Sequence, residues 1–364
     1  MRKLLLALVL CLSIFLAGCQ NWMNRSYSYV IPHSEPSPAA SEVDSFFTSY
    51  RELTDMVEDL ISEGEELGIF YFTPEYPVNV LEADILTLQE YFIQKHPLGS
   101  YAVSDLNCEI GTNAGRDAIA VTVTYRHKRS EIKAILQADT MADVRNAVYS
   151  ALDHCEVSTV VMVEHYRIMD FSQLVADFAM ENPDIVMETP SVSATVYGAN
   201  GQKRLIEIIY TYQTSRDVLR SMRNVVAPIF SSASLYVSDD ASDHEKYSQL
   251  YAFLAQRYDY RYETSITPSY SLLRHGVGDS KAFATVYASM CAKVGIPCQI
   301  VSGTMDGTSR FWNIICEDGY FYHVDIMRCI EEDDFLELTD LDMENYVWNY
   351  TAYPECKGNP ENPR

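Results

Sequence analysis

The chain has 364 residues, 48% of them hydrophobic and 12% aromatic, a globular composition with room for two or three domains. Lys and Arg number 27 against 51 Asp and Glu, giving a net charge of −24. So large an acidic excess excludes nucleic acid as a partner and excludes electrostatic adhesion to anionic lipid.

In chain order, the first element is a leader. "MRK" precedes the short apolar run "LLLALVLCLSIFL", which is too short for a comfortable membrane span. It ends in "LAGC", which resembles the lipobox of bacterial lipoproteins. The resemblance implies a signal peptide over residues 1–18 and lipidation of Cys19, so that the protein is exported and anchored to the outer face of the bacterial cell membrane. Without Arg2 and Lys3 the mature balance is 25 basic against 51 acidic residues, or −26. Residues 19–40, "CQNWMNRSYSYVIPHSEPSPAA", read as a polar tether.

Residues 41–235 read as an N-terminal α+β region. An amphipathic helix is expected from Ser41, with Val43, Phe46, Phe47, Tyr50, Leu53, Val57 and Leu60 on one stripe and a capping box at Ser41 and Asp44. Two similar stretches follow, "LTLQEYFIQKHP" through "RSEIKAIL" and "FSQLVADFAMENP" through "SRDVLRSM". Tyr125 matches Tyr212, and Arg129 matches Arg216. Each copy reads helix, strand, turn, strand, helix, which indicates duplication of an α-β-β-α unit. His96, His127, His154 and His165 lack partners at any recognisable ligand spacing. The acidic stretch "SSASLYVSDDASD" marks a boundary near residue 235.

Residues 236–364 carry the chemistry-bearing pattern. A helix from Asp243 and a loop lead to "HGVGDSKAFATVYASMCAKVGIPC", which is a Gly-rich turn entering an Ala-rich helix. Strands follow at "CQIVSG", "RFWNIICED" and "YFYHVDI". A helix N-terminus facing antiparallel strands suits a thiol enzyme: the helix end lowers a thiolate pKa while the strands present a base and its orienting carboxylate.

The segments "GDS" (Gly278, Asp279, Ser280), "GIP", "VSG", "RFW" (Arg310, Phe311, Trp312) and "HVD" (His323, Val324, Asp325) resemble, in order, those of transglutaminase-like domains of the papain-like thiol superfamily. The tail "LTDLDMENYVWNYTAYPEC" resembles extracellular bacterial members. Position by position, the nucleophile falls on Ser280 instead of Cys and the base on Arg310 instead of His, while Asp325 keeps the family's residue. A serine needs a general base far more than a cysteine does, and a guanidinium cannot be one. The resemblance therefore implies a degenerate triad: a lipid-anchored protein, not an enzyme, whose domain binds a peptide, protein or cell-wall fragment through a groove at Asp279, Trp312 and His323. Two alternatives are a serine-dependent amidase using His323 or His275 as substitute base, and a purely architectural surface module. Ser280 beside Asp279 reads as a helix N-cap, and Arg310 opposite Asp325 as a bidentate ion pair.

No CxxC pair occurs and the histidines are scattered, so no structural zinc site and no cofactor are expected. Cys108, Cys155, Cys291, Cys298, Cys316, Cys329 and Cys356 remain after the lipidated cysteine, with one or two bridges open to them.

Overall fold

A computed structural model describes residues 46–199, 201–238 and 240–359. The leader, Cys19, the tether and the Ser41–Asp44 cap lie outside the described residues. A short unit ends at Phe47 with strand β1 (Phe46–Phe47), and a second unit comprises the rest of the chain. The first helix of that second unit is α1 (Tyr50–Glu63), which is capped by the Ser49 side chain and closed by Gly64 in the left-handed region, φ 66°. It buries Leu53, Val57 and Ile61; Phe46 and Phe47, assigned above to the same helix, are extended instead. Among the described residues no helix is long and apolar enough to cross a membrane.

The protein is α+β, and the duplication is wider than the sequence suggests. The first copy runs α1, β2 (Leu67–Phe72), α2 (Val78–Glu90), a π turn at Tyr91–Lys95, α3 (Pro97–Ala102), β3 (Val103–Asn113), β4 (Arg116–Tyr125) and α4 (Arg129–Lys133). The short strand β5 (Leu136–Ala138) then leads into the second copy: α5 (Met141–Asp153), β6 (Ser158–Val163), α6 (Phe171–Glu181), β7 (Ser191–Tyr197), β8 (Arg204–Thr211) and α7 (Arg216–Ser231). Both copies place the last strand of the hairpin at the centre, β2–β4–β3 and β6–β8–β7, and all these pairings are antiparallel. Each copy thus carries an extra helix and strand ahead of the α-β-β-α unit.

The matched arginines make equivalent contacts in the two copies. Arg129 reaches Glu65 at 2.6 Å, just after α1. Arg216 pairs with Glu156, just after α5, and its Nε donates to the His154 carbonyl at 3.0 Å. In each copy the final helix is thereby fastened to the turn joining the first helix to the first strand. The copies then diverge. Helix α4 has five residues, whereas α7 has sixteen and buries Leu219, Val226 and Phe230 in the same core as Tyr247, Phe283, Val286, Tyr287 and Met290 of the C-terminal region. The predicted boundary near residue 235 is therefore a connection along the chain, across which one hydrophobic core is continuous.

The C-terminal region contains α8 (Asp243–Ala255), β9 (Asp259–Tyr260), α9 (Pro268–His275), β10 (Val277–Gly278), α10 (Ser280–Lys293), β11 (Cys298–Met305), β12 (Thr308–Glu317), β13 (Tyr320–Val324), α11 (Ile326–Glu332) and β14 (Tyr346–Trp348). Four strands form an antiparallel sheet in the order β13–β12–β11–β14, and β9 pairs in parallel with β10. Helix α10 is buried nearly all round, as its Ala-rich sequence requires, and packs on this sheet. Gly303 of "VSG" is needed for contact: a Cβ there would lie 2.3 Å from the Val347 carbonyl and 2.7 Å from the Trp312 ring.

Candidate functional site

Ser280, Arg310 and Asp325 converge where the start of α10 meets the ends of β12 and β13. Asp279, not Ser280, caps the helix: its carboxylate accepts from the Ala282 amide at 2.9 Å, in extended backbone geometry. Ser280 is the first helical residue, 7% exposed, and its Oγ accepts from the Phe311 amide at 3.2 Å. The reason lies in the sheet. Strand β13 pairs with β12 only from Asn313 onward, so the Phe311 N–H lies beyond that ladder and takes the hydroxyl instead.

Arg310 and Asp325 are both buried and form the expected fork, Nε to Oδ2 at 2.8 Å and Nη2 to Oδ1 at 3.0 Å. Tyr346 donates its hydroxyl to Asp325 Oδ2 at 2.7 Å, and the Met327 amide donates to Oδ1 at 3.0 Å. Asp325 is also the N-cap of α11. Both carboxylate oxygens are thus engaged by charged or aligned donors. Burial works against the charged guanidinium, yet Asp325 overrides it and holds the Arg310 pKa above its ordinary value. Burial, followed by the Asp325 charge, likewise pushes the Tyr346 phenol well up. The Asp325 carboxylate is engaged by Arg310, Tyr346 and the Met327 amide, and no hydrogen bond from Ser280 reaches it among the described residues.

The other candidate residues are placed differently from their expected roles. Trp312 and His323 are fully buried, so neither lines a groove. The Trp312 indole N–H donates to His323 Nδ1 at 3.0 Å, leaving the ring proton on Nε2, which meets Asp340 Oδ1 at 3.0 Å. Burial is the largest influence on His323 and holds its pKa below the ordinary value despite Asp340. Both ring nitrogens are committed, away from Ser280. His275 is exposed at the end of α9, edge-on to Tyr270. No hydrogen bond joins either histidine to Ser280 among the described residues.

The accessible surface here comes from other side chains. Lys281, half-buried, lies 5.6 Å from the Phe311 ring centroid. Tyr260, exposed, is held opposite Gly278 by the β9–β10 pairing. The seven cysteines among the described residues are free thiols. Burial raises Cys108 to about 11 and Cys329 and Cys356 to about 12, so these three supply no thiolate at neutral pH.

Sequence reasoning missed Tyr346 and Asp340 as partners in these networks. Both belong to the tail "LTDLDMENYVWNYTAYPEC", whose likeness to other proteins pointed to the segment but not to the contacts.

In the C-terminal region a helix N-terminus abuts an antiparallel sheet, with a carboxylate just past the end of β13. Residues 232–359 match the profile of the Transglutaminase-like superfamily. Three of the similar chains among solved structures are as follows. One is a TGase at 11% identity, covering 60% of this chain and 63% of its own, with a TM-score of 0.26. The second is a candidate cysteine protease from Cytophaga hutchinsonii at 11% identity, covering 43% and 70%, TM-score 0.25. The third is a candidate protease from Parabacteroides distasonis at 9% identity, covering 46% and 40%, TM-score 0.24. The chain thus spans 63% of the length of the TGase. No curated protein matches it at a significant level.

Proposed function

We propose that this chain is a lipid-anchored surface protein whose transglutaminase-like domain is non-catalytic and binds a peptide, protein or cell-wall fragment at the mouth of the Ser280 centre. One observation carries the reading: the buried Arg310–Asp325 fork, closed by Tyr346, stands where a proton-accepting pair would have to be. A serine hydroxyl without a base is a poor nucleophile, and loss of such partners removes about 10⁴-fold or more of the rate. The serine-hydrolase alternative loses support because His323 has both nitrogens engaged and His275 is exposed at the end of another helix. Support for binding comes from the exposed Tyr260, held opposite Gly278, and from the Lys281–Phe311 contact; Tyr262 is also exposed two residues further along.

The test is fluorophosphonate labelling and an amidase and crosslinking assay on the ectodomain, with Ser280→Ala as control. No labelling and no turnover are expected. Labelling or turnover that Ser280→Ala abolishes would overturn the reading. In parallel, retention on cell-wall fragments or surface proteins should be lost in Tyr260→Ala/Tyr262→Ala; retention that instead requires residues 41–235 alone would favour the architectural reading.

A further inference from the structure

Between the two copies of the N-terminal region lies a cleft of about 650 Å³. Tyr101 of α3 and His127 after β4, stacked ring on ring at 4.0 Å, form its wall on the first copy. Strand β6 of the second copy lines it at Ser158, Thr159 and Val160.

That stretch of β6 is a sheet edge. The Tyr210 amide donates to the Val157 carbonyl at 2.9 Å, so the odd-numbered residues of β6 turn their backbone groups toward β8. The even-numbered residues turn theirs the other way, and the Glu164 amide accordingly donates to the Ala138 carbonyl at 3.0 Å. Strand β5 covers this side only from Leu136, opposite Val161. Ser158 and the N–H of half-buried Val160 therefore lie beyond the start of β5, in the cleft. No backbone hydrogen bond reaches that N–H among the described residues. An unpaired edge of this kind is a template for a further strand.

Charge selects what would cover the edge. Glu131, Glu156 and Glu207 line the cleft, and no Lys or Arg does among the described residues. Arg216 balances Glu156. Glu207 accepts from the Tyr197 hydroxyl at 2.9 Å; Glu131 accepts from the Lys128 amide at 2.9 Å and stands 3.8 Å from the His127 ring. Neither pairs with a Lys or Arg among the described residues. Their charges meet at Tyr101, whose phenol is raised to about 12 by burial and then by Glu207 and Glu131.

We infer that the cleft takes a short extended peptide segment carrying Lys or Arg, added as a strand beside Ser158–Val160. Such a strand stands two strand spacings, about 9.6 Å, from β8. Glu207 is the register partner of Val160 and shares its face. A long basic side chain on that face of the added strand is thus directed at Glu207 while the backbone meets the Val160 N–H. The site is separate from the Ser280 centre and independent of its chemistry.

The test is titration calorimetry of the full chain at low salt with a short blocked peptide alternating Val and Lys, together with amide hydrogen exchange. Binding and slowed exchange at residues 158–160 are expected. The same peptide with Glu in place of Lys, and its backbone N-methylated counterpart, should each bind at least about tenfold more weakly. Glu131→Gln/Glu207→Gln should weaken binding about tenfold, with its melting curve as folding control. Amide exchange needs no variant and locates the peptide even if that variant fails to fold. No binding by the wild type, equal binding of the Glu or N-methylated peptide, exchange unchanged at residues 158–160, or full binding by the folded double variant would each overturn the proposal.

Discussion

Two polar pairs lie two residues apart along β12 and the segment formed by β13 and the residue that follows it. Arg310 meets Asp325, and Trp312 meets His323; residues i and i+2 of a strand share a face, so the pairs are neighbours. Both are buried, but one is ionic and the other neutral. The ionic pair is stabilised by mutual attraction together with Tyr346 and the Met327 amide. The neutral pair avoids the cost of a buried charge by keeping a single ring proton, passed to Asp340. The difference teaches that two buried polar pairs on neighbouring positions meet burial in two ways, one by pairing opposite charges and the other by sharing a single proton.

The comparison is broken most directly at Arg310. Arg310→Ala leaves the Asp325 carboxylate buried without its counter-ion and should cost about 3–5 kcal/mol in urea melts; an unchanged midpoint would show that the fork contributes nothing. A smaller effect is expected from pH at His323. Its folded pKa lies below the unfolded value of about 6.5, so the unfolded state binds the proton first. Its contribution is therefore full above about pH 6.5 and is lost as pH falls toward the folded pKa. His323→Asn should flatten that acid limb of the stability profile, and an undiminished slope would point to another group. The smallest effect belongs to Ser280. Ser280→Ala removes one acceptor from the Phe311 amide and should cost about 0.5–1.5 kcal/mol by thermal melting. A loss as large as that of Arg310→Ala would mean that the hydroxyl, and not the ion pair, organises the centre.

Much of this was legible along the chain. The α10 helix, the three strands after it and the Arg310–Asp325 opposition follow from short motifs in order. The Arg129–Arg216 match marked the duplication because each arginine serves the same turn. The helix and strand that open each copy escaped notice, since they share topology without similar residues. The start of α1 was misplaced because Phe46 and Phe47 fit an apolar stripe as readily as a strand. The groove role given to Trp312 and His323 failed because face and depth differ: alternation says which side a residue takes, but not that β14 and the tail cover that side.

The sequence by itself determined the α+β class, the order of elements in the C-terminal region and the opposition of Arg310 to Asp325. These are local properties: apolar period, turn residues and the identity of a side chain at a motif position. Only the tertiary structure decided that Asp279 caps α10, that Tyr346 and Asp340 complete two buried networks, and that α7 joins the C-terminal core. Those outcomes depend on contacts between segments far apart in the chain, where burial makes each polar group require a partner that its own neighbourhood does not contain.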